Sequence, residues 1–132
     1  RAWPDVEPAL RQLRAAGIGI AFLSNMTEDM LTRGLENSGL TDMFDHVLST
    51  DTVRSFKPDP KAYQLGVDAF GLPKGQIGFA AFAGWDAAGA SWFGYPTVWI
   101  NRLGFPADEL GVKPDAEGRS LETLTTFISA RA

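Results

Sequence analysis

The sequence predicts an α/β fold built on a parallel sheet, and three observations carry that expectation. Short apolar runs at residues 18–23, 77–83 and 96–100 alternate with amphipathic stretches along the chain, a pattern that sets helices between parallel strands. Polar residues stand where those runs end: Ser24-Asn25 after the first and Gly84-Trp85-Asp86 after the second, with Phe56-Lys57-Pro58-Asp59-Pro60 between them. Ligands of an open parallel sheet sit just beyond the carboxyl ends of its strands. A hydroxyl, an amide, an ammonium and a carboxylate are therefore expected to converge on one crevice. The third observation is the run Ala87-Ala88-Gly89-Ala90, whose small side chains let a helix N-terminus approach the preceding strand.

The elements follow in order. Val6, Leu10 and Leu13 recur at helical spacing after Pro4, and Gly17 supplies a stop, so residues 4–16 read as an amphipathic helix. Residues 18–24 read as a buried strand. Thr27 is placed to cap the next helix, with Glu28 and Asp29 favouring the positive end of its dipole. Leu31 and Leu35 mark that helix's buried face and Gly39 its end. Residues 46–50 form a short strand. Asp59 then caps a helix with Pro60 in its first turn, lined by Tyr63, Val67 and Phe70 and closed by Gly71. A strand over 77–83, a helix over about 86–93 and a strand over 96–102 follow. Residues 103–119, with Gly104, Pro106, Gly111, Pro114 and Gly118, read as loop with a helical turn near Asp108. Ser120 caps a last helix that turns Leu121, Leu124, Phe127 and Ile128 inward.

Composition narrows the function classes. The 132 residues suit one domain or part of one. A net charge of −4 without a basic cluster argues against nucleic acid. No apolar run approaches the roughly 20 residues that span a bilayer, so no membrane partner is expected and a cytoplasmic location fits. The absence of Cys rules out a disulfide framework, a thiolate nucleophile and a thiolate metal site within these residues.

Each candidate has a plainer reading beside it. Ser24-Asn25 is either a helix-capping turn or a holder for a carboxylate or phosphate. Lys57 is either a solvated lysine or an ammonium aimed at the crevice by the rigid Pro58-Asp59-Pro60 turn. Asp86 is either a helix N-cap or the partner of Lys57. Tyr63 is either a core tyrosine or one that turns its hydroxyl to the site. His46 reads as a strand-start or surface residue rather than a base. Trp92, Phe93 and Trp99 read as core, whereas Trp85 abuts Asp86 at the strand end and is kept as a binding candidate.

Taken together, the Leu-Ser-Asn strand end, the Phe-Lys-Pro-Asp-Pro turn and the Gly-Trp-Asp-Ala-Ala-Gly-Ala segment resemble motifs two, three and four of the haloacid dehalogenase-like hydrolase superfamily. The block from Trp85 through Asn101-Arg102 is similar to the 2-haloacid dehalogenases within it. The resemblance implies a Rossmann-like core with a parallel sheet, here lacking the N-terminal central strand and the cap, so that residues 1–132 form the C-terminal part of a single core domain. It implies that an aspartate preceding these residues displaces halide from a 2-haloacid and forms an ester that water hydrolyses. Ser24 and Asn25 then bind the substrate carboxylate and neighbouring oxygens, with Tyr63 and Trp85 at substrate-binding positions. Lys57 stabilises the nucleophile and the ester, and Asp86 orients Lys57 and helps activate the water.

Superfamily phosphatases carry a further carboxylate for Mg²⁺ where this chain has Phe82. One Asp is a poor oxygen cage, so metal-free chemistry without a cofactor is expected. Ala81 and Ala83 stand where many dehalogenases have Ser and Asn. The expected partner is a small 2-haloacid, with a homodimer in the full-length enzyme, and the isolated chain is expected to be inactive. A phosphatase fragment and a non-catalytic α/β anion-binding module are the competing readings.

Overall fold

The computed structural model describes residues 3–107 and 111–131. Arg1, Ala2 and the turn expected near Asp108 lie outside the described residues. The chain divides into two compact units, Arg1–Phe70 and Gly71–Ala132.

The first unit runs α1 (Val6–Ala15), β1 (Ala21–Ser24), α2 (Glu28–Ser38), β2 (His46–Ser49) and α3 (Pro60–Phe70). β1 and β2 are parallel, in a register that sets Ser24 beside Ser49. Helix α1 buries Ala9, Leu10 and Leu13, and α2 buries Leu31 and Leu35, each Leu worth about 1.5–3 kcal/mol of apolar burial. The Thr27 hydroxyl accepts the Met30 N–H and so caps α2, and Gly39 ends it at φ 73°, a left-handed conformation that favours glycine. Asp59 Oδ1 accepts the Lys61 N–H at 2.8 Å where α3 begins.

β1 is shorter than the expected strand over 18–24, and its four residues are half-buried rather than buried. Asp45 marks where the ladder starts. Its carboxylate accepts the Ile20 N–H at 2.8 Å, while its own N–H donates to Ile20 O at 2.7 Å. This exchange ties down residue 20 just before the ladder starts. Gly19 is required there for space, since a Cβ would lie 2.9 Å from the Phe70 ring. That ring also packs edge-on against His46 with centroids 5.1 Å apart, so His46 is a strand-start residue as expected.

The second unit contains β3 (Phe79–Ala81), α4 (Gly84–Phe93), β4 (Thr97–Ile100), β5 (Ala116–Gly118) and α5 (Glu122–Arg131). The order is β3-β4-β5, all parallel. β4 is central and buried along its whole length, as a doubly flanked strand with a continuous apolar run should be. Ala81, Ala87 and Trp99 form a core cluster with Phe79 against it. Asp115 repeats the device of Asp45: its carboxylate accepts the Thr97 N–H at 2.7 Å and its N–H reaches Thr97 O at 2.8 Å.

Three expectations need correction here. β5 was expected as loop; its three residues are held by the register with β4 and by the Asp115 tie rather than by an apolar pattern of their own. Trp92 is not core, being 67% exposed, whereas Trp99 is buried and Phe93 half-buried. Helix α4 begins at Gly84, with Ala83 as its N-cap, so Asp86 is third in the helix and does not cap it. Leu121, just before α5, and Thr125 within it are buried, while Leu124, Phe127 and Ile128 are half-buried.

Candidate functional site

In the first unit the ends of β1 and β2 and the turn before α3 are bound together by polar side chains. β1 ends at Ser24, whose Oγ accepts the Met26 N–H at 3.1 Å and closes a tight local turn. Asn25 follows, half-buried. Its Oδ1 accepts the backbone N–H of Lys57 at 2.8 Å and the Thr50 hydroxyl at 3.1 Å. A backbone N–H is a donor only, so the oxygen of the Asn25 amide must face Lys57, and Nδ2 is the donor end.

Lys57 is held from both ends. Its backbone meets Asn25, and its Nζ donates to Leu23 O, at the end of β1, at 3.3 Å. The Lys57–Pro58 peptide bond is cis, and the turn is closed by the Asp59 N–H donating to Phe56 O at 2.9 Å. Ser24, Asn25 and Lys57, three of the residues singled out from sequence, thus form one cluster at the carboxyl ends of β1 and β2. Tyr63 lies on α3, three residues past its start, and is fully buried.

Two residues of this cluster escaped sequence reasoning. Ser49 and Thr50 are 1% and 0% exposed. The Ser49 hydroxyl donates to Met26 O at 2.6 Å and accepts the Asp51 N–H at 3.2 Å. The available signal was that they too are polar residues ending a strand, beside Ser24 in a parallel pair.

In the second unit β3 leads into α4. Trp85 and Asp86 are the second and third residues of the helix; Trp85 is 44% exposed and Asp86 is buried at 6%. A carboxylate in the first turn lies at the positive end of the helix dipole. Ala87, Ala88 and Ala90 are buried against the sheet, which is where the expected small side chains were needed. Phe82 is 54% exposed. The Arg102 guanidinium lies 5.5 Å from its ring centroid, and the Trp99 indole N–H donates to Phe82 O at 3.3 Å. The residue is thus fixed as an apolar surface with a cation beside it. Among the described residues, no three carboxylates or imidazoles lie together as a metal cage, and no helix is long and apolar enough to cross a membrane.

What the first cluster can do follows from its donors. The Ser24 hydroxyl has its oxygen engaged by Met26 and its hydrogen left to donate, Asn25 presents an NH₂, and Lys57 carries a positive charge. Such a set suits an anionic oxygen ligand.

Comparison with known proteins places the chain in a family. A family model described as haloacid dehalogenase-like hydrolase matches residues 1–94. Haloacetate dehalogenase H-2 of Moraxella sp. is 44% identical over 129 residues, which are 98% of this chain and 58% of that protein. The crystal structure of an L-2-haloacid dehalogenase superposes with a TM-score of 0.94 at 46% identity, covering 97% of this chain and 56% of that one. The L-2-haloacid dehalogenase of Xanthobacter autotrophicus with chloropropionic acid covalently bound gives a TM-score of 0.91 at 29% identity, covering 98% and 62%. The chain thus spans somewhat over half the length of the relatives it matches.

Proposed function

The chain belongs to the haloacid dehalogenase-like hydrolases, and from that premise we propose that it is the C-terminal part of the catalytic core of an enzyme that removes halide from 2-haloalkanoic acids. A carboxylate oxygen of an aspartate outside these residues attacks C2, the carbon–halogen bond breaks and the halide leaves with the bonding pair. Water then adds to the carbonyl of the resulting ester. The 2-hydroxy acid departs with the former ester oxygen and one proton of the water, and the aspartate regains its carboxylate with the water's oxygen. The other proton passes to solvent.

The observation that carries this reading is the hydrogen-bonded cluster of Ser24, Asn25 and Lys57. Ser24 and Asn25 hold the substrate carboxylate through donors. Lys57 stabilises the charge of the nucleophile and of the tetrahedral intermediate, a preorganised electrostatic role that is often the largest catalytic term. Asp86 serves the same reaction as Lys57 and activates the water, and Trp85 and Tyr63 contribute to substrate binding. Phe82 supports halide chemistry over phosphoryl transfer, because an apolar ring stands at the position of the phosphatases' carboxylate and a Mg²⁺ site needs oxygen ligands.

The test is to supply the gene product that carries this chain with 2-chloropropionate and, separately, with p-nitrophenyl phosphate and Mg²⁺. Chloride release matched by lactate supports the proposal. Phosphate release without chloride would replace it with the phosphatase reading.

A further inference from the structure

We infer that Ser49 and Thr50, the consecutive buried residues at the end of β2, are positioning residues that hold the Ser24–Met26 turn so that Asn25 presents its NH₂, and not its oxygen, to the ligand. This rests on the assignment of Ser24 and Asn25 to the substrate carboxylate.

The argument begins with how each hydrogen bond constrains its partner. Met26 is held at both ends of its backbone: the Ser24 oxygen accepts its N–H at 3.1 Å, and the Ser49 hydroxyl donates to its carbonyl at 2.6 Å. Having accepted from Met26, the Ser24 hydroxyl keeps its own hydrogen to donate to a ligand, along with one lone pair. Asn25 is constrained in the same sense. Its Oδ1 receives both the Lys57 N–H and the Thr50 hydroxyl, which occupies the lone pairs of that oxygen. An amide rotated by a half turn would set its NH₂ against the Lys57 N–H, donor against donor. The Asn25 NH₂ is therefore held as the group available to a ligand.

Ser49 and Thr50 are almost fully buried, so they act through Ser24, Asn25 and Met26 rather than by touching substrate. Supporting groups of this kind keep a binding geometry tight. The consequence is selectivity. An Asn25 fixed as a donor suits a carboxylate, an acceptor without hydrogens at neutral pH, and disfavours at that position the hydrogens of the corresponding amide or alcohol.

The experiment uses the gene product that carries this chain, with propionate as an unreactive carboxylate. Propionate affinity is read on the side-chain amide signals of Asn25 by NMR, and KM and kcat are measured with 2-chloropropionate. Thr50→Val, of the same shape without the hydroxyl, is expected to shift the Asn25 amide signals and weaken propionate about threefold; S49A/T50V should weaken it about tenfold, as loss of roughly one hydrogen bond's worth of orientation would. KM should rise in parallel while kcat changes less, and Thr50→Ser should restore both.

Should the double variant not fold, Thr50→Val alone decides. Unchanged Asn25 signals and unchanged propionate affinity in that variant would overturn the inference. A wild-type protein that binds propionate at Asn25 but releases no halide would refute the proposed reaction and leave this inference standing. One that releases halide with lactate but shows no propionate binding at Asn25 would overturn this inference and leave the reaction standing.

Discussion

The side-chain oxygen of Asn25 accepts the backbone N–H of Lys57 at 2.8 Å, so the residue that ends the first strand turn and the residue that carries the cation are fixed to one another through the main chain. The ammonium is attached separately, by its own bond to Leu23 O. Position and charge can therefore be removed independently.

Lys57→Ala removes the charge and keeps the backbone N–H that Asn25 needs. Halide release should fall by about a hundredfold or more, the scale of one preorganised electrostatic group, with little change in the melting temperature. Tyr63→Phe should cost less than Lys57→Ala in the same assay. Turnover of Lys57→Ala equal to wild type would remove Lys57 from the mechanism.

Asn25→Asp keeps an oxygen for Lys57 and Thr50 but replaces the donor NH₂ with a negative charge. KM for 2-chloropropionate should rise by about tenfold or more, since a donor is lost and a like charge is gained. Steady-state kinetics beside a thermal melt separate this from unfolding; an unchanged KM would show that Asn25 does not face the carboxylate.

Gly19→Ala brings a methyl group to within 2.9 Å of the Phe70 ring. Overpacking of this kind costs about 1–3 kcal/mol, and the ring cannot yield without disturbing its contact with His46. Urea unfolding should show the loss, with a second change, Phe70→Leu, relieving part of it.

Asp45 is the residue whose pH behaviour follows from its bonds. The Ile20 N–H, and after it Arg14 at 3.4 Å, hold its carboxyl below the ordinary carboxylate value. A depressed pKa favours the folded state above the unfolded value, about 3.9, and that contribution is lost as pH falls through the folded value. Asp45→Asn should thus lower the urea midpoint at pH 7, and the gap from wild type should close below about pH 4. A gap that does not narrow as pH falls below about 4 would assign the effect to shape instead of charge.

Much of this was legible in the residues themselves because local chemistry decides it. Thr27, Asp59 and Gly39 mark helix ends by what their own side chains, or the lack of one, allow, and the structure uses all three so. Ser24, Asn25 and Lys57 were recognisable as polar residues after apolar runs. What escaped depends on partners distant in sequence. β5 has no apolar pattern and exists because β4 and Asp115 hold it. Ser49 and Thr50 looked like the end of a strand, and their meaning lies in Met26 and Asn25 more than twenty residues away. Trp92 suggested core by its type alone, yet it is exposed on a helix whose buried positions are filled by Asp86 and three alanines.

The central proposal is that Lys57 and Asp86 serve one reaction, and a double-mutant cycle tests it most directly. Lys57→Ala, Asp86→Asn and the double variant are compared with wild type for halide release from 2-chloropropionate, each with a melt to establish folding. Residues that act as a unit are strongly non-additive, so the double variant should be about as impaired as the worse single variant. Losses that multiply in the double variant would mean that the two residues contribute independently, and would contradict the account.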